Sequence, residues 1–115
     1  MEIFLVRHGQ SQANAGLTAH LDSSLTQIGK EQARRTAERL RAEHLTHAFT
    51  SPLRRTLETI SYICKVNDLR AEVAPEACEY FSHRIPGYAE CPGLSPEQIA
   101  AQFPRIDFGS AFPCE

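Results

Sequence analysis

The sequence predicts an α/β domain with a parallel sheet, and three observations carry that prediction. Ile3-Phe4-Leu5-Val6 is a run of four apolar residues, β-branched at both ends, the pattern of a strand buried on both faces in mid-sheet. Two long helical patterns follow, each leading to a short strand-like run. Strand, helix, strand, helix and strand within 75 residues imply right-handed βαβ crossovers.

After the first run, polarity arrives at once as Arg7-His8-Gly9-Gln10-Ser11-Gln12-Ala13-Asn14. The carboxyl end of such a strand is where open α/β sheets bind ligands. Arg7 offers a planar fork of donors suited to phosphate or carboxylate, and Gly9 allows close backbone approach. His8 can be a base, a metal ligand or a nucleophile. With no second metal-type residue at i+2 to i+4, no HExxH and no paired cysteines, a metal is disfavoured and a nucleophile beside a guanidinium is the better reading.

Residues 15–25 lack periodicity and read as a loop. Thr26 is the expected N-cap of a helix running to about Glu43, burying Ile28, Ala33, Ala37 and Leu40 with its charges in solvent. His47–Thr50 is a second strand. Ser51 and Pro52 then read as N-cap and first position of a helix that buries Leu53, Leu57, Ile60 and Cys64 and ends near Val66-Asn67-Asp68. Residues 71–74 form a weak third strand. From Pro75 to Gly93 prolines, glycines and aromatics replace periodicity, which suits an excursion over a site. Ser95-Pro96 starts one more helix, through about Gln102, and Asp107–Glu115 show no regular pattern.

A chain of 115 residues forms at most one domain with one modest core. Its net charge of −2 gives no reason to expect nucleic acid or an anionic membrane, so any attraction for phosphate must come from locally placed arginines. Cys64, Cys78, Cys91 and Cys114 include no CxxC and read as free thiols. The N-terminal apolar run is too short for a signal peptide or a membrane span, so a cytoplasmic location is expected.

Arg7-His8-Gly9 after an N-terminal strand, with Ser11 and Asn14 following, resembles the histidine phosphatase superfamily, which includes the cofactor-dependent phosphoglycerate mutases. Asp22-x-x-Leu25-Thr26-x-x-Gly29-x-x-Gln32-Ala33 and Ser51-Pro52-Leu53-Arg54-Arg55-Thr56 match the family's next two segments. The resemblance implies a three-layer phosphoglycerate mutase-like fold and a phosphohistidine formed on His8, with no cofactor. It places phosphate binding on Arg7, Arg55 and Asn14. Periodicity alone puts Arg54 nearer the apolar face than Arg55, so only the resemblance chooses between them, and Asn14 reads equally as a cap or turn residue. Pro75-Glu76-Ala77-Cys78-Glu79 resembles the segment carrying the acid that protonates the leaving alcohol; the match falls on Glu79, with Glu76 as competitor.

The family's second histidine, in a His-Gly dipeptide on a later strand, has no counterpart here after Gly9. The expectation is therefore a single domain over 1–115, incomplete at its C-terminus, with 75–94 as a substrate-covering insertion. A phosphatase on small phosphate esters is the leading function. A phosphate-binding or inactive remnant and a phosphoglycerate mutase are the alternatives. The expected partner is a small phosphorylated substrate, and a homo-oligomer is left open.

Overall fold

The computed structural model describes residues 1–19, 22–74 and 94–108. Within them the sequence folds around one helix. That helix, α2, spans Arg54–Asn67 and follows α1 (Gln27–Leu40), a 3₁₀ turn (Arg41–Glu43) and the strand β1 (Ala48–Thr50). After it come β2 (Ala71–Val73), α3 (Pro96–Gln102) and β3 (Ile106–Phe108). The three strands pair in parallel in the order β1-β2-β3, with Ala48, Ala71 and Ile106 in one register and Thr50, Val73 and Phe108 in another. The α/β class and the parallel sheet are as the sequence indicates.

Two apolar clusters show why α2 is central. Leu57 and Cys64, seven residues apart, lie on the face that packs with Ala71, Val73, Leu94, Ile99 and Ile106 between sheet and α3. Ile63 packs against Ala37 and Leu40 of α1 in the second cluster. Burial pushes the Cys64 thiol up to about 11, so it stays protonated at neutral pH. Arg70, just before β2, pairs with Asp107 in the middle of β3, which holds the Asp107 carboxyl below its ordinary range.

Local chemistry sets the helix ends. Thr26 caps α1 by accepting from the Gly29 N–H, and α3 has a full capping box from Ser95 and Gln98. α2 closes on Asp68 in the left-handed region, φ 51°. Among the described residues no helix is long and apolar enough to cross a membrane.

Several expectations need correction. Residues 3–6 form no strand; Ile3 and Leu5 are 76% and 96% exposed, and no hydrogen bond among the described residues holds 1–6. An apolar run reports a preference for burial, and here no described strand lies beside it to satisfy that preference. Ile28 faces solvent because the buried stripe of α1 is Gly29, Ala33, Ala37 and Leu40. Ile60 is only half-buried, lying between the two clusters.

Ser51 is not the cap of α2. The helix starts three residues later, Leu53 stands at the N-cap, and the Arg54 N–H donates instead to the Asp22 carboxylate at 2.6 Å. Ser51 Oγ pairs with Thr56 Oγ1 at 2.6 Å. Asp107 and Phe108, read as irregular, belong to β3, a strand too short to register as a pattern. Of the substrate-covering insertion expected over 75–94, only Leu94 lies within the described residues.

Candidate active site

The polar stretch after Val6 is built into the fold by its backbone. Every peptide N–H from Gly9 to Asn14 has a partner. Gly9 donates to Thr59 Oγ1 on α2 at 3.1 Å, and Gln10 to Gln32 Oε1 on α1 at 2.9 Å. Ser11 donates to Asn14 Oδ1, and Asn14 returns the bond to Ser11 Oγ, each at 3.1 Å. Gln12 donates to the Ser24 carbonyl and Ala13 to Ser23 Oγ. An isolated antiparallel bridge, Ser11 to Leu25, sets the return path of the chain, and Glu58 of α2 accepts from the Leu25 N–H at 3.3 Å.

Sterics fix the same stretch against α1. A Cβ on Gly9 would lie 2.3 Å from the Gly29 carbonyl oxygen, and one on Gly29 would lie 2.0 Å from the Gln10 carbonyl oxygen. Two chain segments therefore meet backbone to backbone, an approach that only glycine on both sides permits.

Arg7, His8, Gly9, Gln10 and Asn14 line one cleft with Gln32, Ala33 and Thr36 of α1, a space of about 540 Å³. Arg7 and Asn14 are exposed and His8 is half-buried, so the cleft is open to a ligand from solvent. His8 Nδ1 lies 2.7 Å from the Gly9 carbonyl oxygen. A carbonyl only accepts, so in the neutral ring Nδ1 carries the proton and Nε2 keeps its lone pair.

Of the sequence-predicted site residues, Arg7, His8 and Asn14 come together in this cleft. Arg55 does not line it. Arg55 is 6% exposed in the first turn of α2, and its carbonyl accepts from the Thr59 hydroxyl that also holds Gly9. Arg54, expected on the apolar side, is the outward member of the pair and donates towards Gln102. Glu79 and Glu76 lie outside the described residues. Among the described residues no group of three His, Cys, Asp or Glu side chains could hold a metal ion.

Sequence reasoning missed Thr59, Gln32, Asp22 and Glu58 as the groups that place the loop. Gly29 and Gln32 stood within a recognised motif, yet their three-residue spacing advertised only a helix. That spacing is also what puts Gln32 one turn beyond Gly29 on the side of α1 that meets Gln10.

Residues 3–107 match the histidine phosphatase superfamily (branch 1), and the chain belongs to that family. A probable phosphoglycerate mutase GpmB of Photorhabdus laumondii is 44% identical over 68 residues, covering 57% of this chain and 32% of that protein. Among solved structures, a mycobacterial glucosyl-3-phosphoglycerate phosphatase complexed with VO3 superposes with a TM-score of 0.59 at 28% identity, over 84% of this chain and 44% of the other. An ecdysone phosphate phosphatase of Bombyx mori in complex with tungstate shares the fold, with a TM-score of 0.61 at 20% identity, over 88% and 40% of the two chains. The chain thus spans about a third of the length of that curated relative and less than half of the solved ones.

Proposed function

We propose that the cleft performs phosphoryl transfer through a covalent phosphohistidine on His8, as a phosphatase of small phosphate esters. The observation that carries this reading is the contact of His8 Nδ1 with the Gly9 carbonyl, in a loop whose every N–H is committed. It leaves Nε2 as a nucleophile of fixed aim.

In the proposed reaction Nε2 attacks the phosphorus and the bond from phosphorus to the ester oxygen breaks. The leaving alkoxide takes a proton from an acid, for which Glu79 is the candidate. Water then attacks the phosphohistidine, releasing orthophosphate and restoring the neutral imidazole. Arg7 and the Asn14 amide stabilise the equatorial oxygens, a task that dominates catalysis in phosphoryl transfer. Arg55, in the first turn of α2, is proposed as a second phosphate arginine, supported by the positive end of the helix dipole there and by the likeness of residues 51–56 to the family's segment. A second acceptor in place of water would make the same intermediate serve a mutase.

Incubation with a phosphodonor should leave an acid-labile phosphate on the wild type and none on His8→Ala. Hydrolysis of an aryl phosphate at equal rates by both proteins would overturn the reading. Arg7→Ala should lower turnover by about 10²- to 10³-fold.

A second reading is favoured by the composition of the described lining, one imidazole and one guanidinium among neutral groups. It is a phosphate-binding module without turnover. Calorimetric binding of vanadate with no hydrolysis of any ester would select it.

A further inference from the structure

Three carboxamides line the cleft, from Gln10, Asn14 and Gln32. Each has its oxygen engaged by the protein. Gln32 Oε1 accepts from the Gln10 N–H at 2.9 Å, and Asn14 Oδ1 from the Ser11 N–H at 3.1 Å. Backbone N–H groups can only donate, so for Gln32 and Asn14 the partner dictates which end of the amide is oxygen. Gln10 Oε1 accepts from the Thr26 hydroxyl at 2.8 Å, whose own oxygen accepts from the Gly29 N–H at 3.0 Å. The NH₂ groups are what remains, and among the described residues none has a protein partner.

We infer that Gln10 and Gln32 form a subsite for the organic part of the phosphorylated substrate, donating N–H to its hydroxyl oxygens. The inference rests on the phosphate being held at Arg7, His8 and Asn14. Gln10 lies two residues beyond His8, and Gln32 is tied to it by the bond to the Gln10 N–H, so the two line the cleft beside those groups. Thr36, one turn along α1 from Gln32, extends that wall. Its hydroxyl proton goes to the Gln32 carbonyl at 2.9 Å, which leaves its lone pairs to accept from a ligand hydroxyl. No aromatic residue contributes to the described lining, and Ala33 is its one apolar side chain. A polyol-type leaving group suits such a wall, and an aromatic one does not.

The test uses two non-hydrolysable ligands with the same anionic head, 2,3-dihydroxypropylphosphonate and phenylphosphonate, titrated calorimetrically into the full chain. The wild type should prefer the dihydroxypropyl ligand. Gln32→Met should reduce that preference roughly threefold to tenfold, the worth of one uncharged hydrogen bond. Gln10→Met, which keeps the backbone bond to Gln32, should do the same and serves if Gln32→Met does not fold. The ratio of the two affinities is the readout, because a side chain that only positions the loop would weaken both ligands together. Equal wild-type affinities, or a ratio unchanged in the variants, would remove the subsite and leave the phosphate reading standing. Failure of the wild type to bind either phosphonate would overturn both.

Discussion

Residues 1–6 and 9–14 adjoin in the chain and are treated oppositely by the fold. The first stretch is apolar and exposed, with no hydrogen bond among the described residues. The second is polar, yet each of its peptide N–H groups is paired and Gly9 and Ser11 are buried. Hydrophobicity supplies a driving force but does not choose a position; directional bonds and close contacts do that. In this protein the second stretch is the one that lines the cleft beside Arg7 and His8.

Paired leucines give the largest contrast. Leu57→Ala opens a cavity in the cluster between sheet and α3 and should cost about 2–5 kcal/mol in denaturant titrations. Gly29→Ala attacks the ordered stretch directly. Its methyl would meet the Gln10 carbonyl, a backbone group with no flexible end to yield, so a loss of about 3 kcal/mol and at least tenfold weaker vanadate binding are expected. Retention of wild-type binding by Gly29→Ala would show that the glycine contact does not place the loop.

The core should also carry an alkaline signature that the exposed stretch lacks. The folded thiol of Cys64 titrates at about 11 against 9.0 for the ordinary group. Protonated Cys64 therefore stabilises the fold fully below pH 9, and that stability is lost as pH rises through 11, by about 2 kcal/mol. Chemical unfolding at pH 8 and pH 11, in wild type and Cys64→Ala, would reveal it as a difference in slope. The smallest effect completes the leucine pair: Leu5→Ala should change unfolding free energy by less than about 0.5 kcal/mol, since Leu5 is already in water. A cost comparable to that of Leu57→Ala would mean that residues 1–6 are buried in solution.

What was legible in the sequence followed from local physics. The caps at Thr26 and Ser95 could be read from spacing, because a capping side chain and its N–H lie within four residues, and so could most of the buried faces of α1 and α2, Ile28 and Ile60 excepted. The Asp22 cap of α2 could not, since it comes from 32 residues away and has no periodic signature. The placing of Arg54 and Arg55 failed for a related reason. α2 is covered by the sheet, by α1 and, along its polar stripe at Arg55 and Thr59, by the loop that begins at Gly9. A polar stripe reads as solvent-facing until the segment that covers it is known. His8 and Arg7 were nominated by motif and do line one cleft, whereas the tautomer of His8 needed the Gly9 carbonyl, which only coordinates could place.

The corner between β1 and α2 has a consequence for how this fold can diversify. Ala74 donates to the Thr50 carbonyl at 2.7 Å and Leu94 donates to that of Pro52 at 3.1 Å, so the chain leaves and rejoins the framework at two oxygens of one turn. With both ends of the intervening segment moored there, its length scarcely enters the folding free energy, each doubling adding only about 0.6 kcal/mol. Descendants of this sequence are therefore free to lengthen or shorten that segment while the cleft at His8 stays where it is.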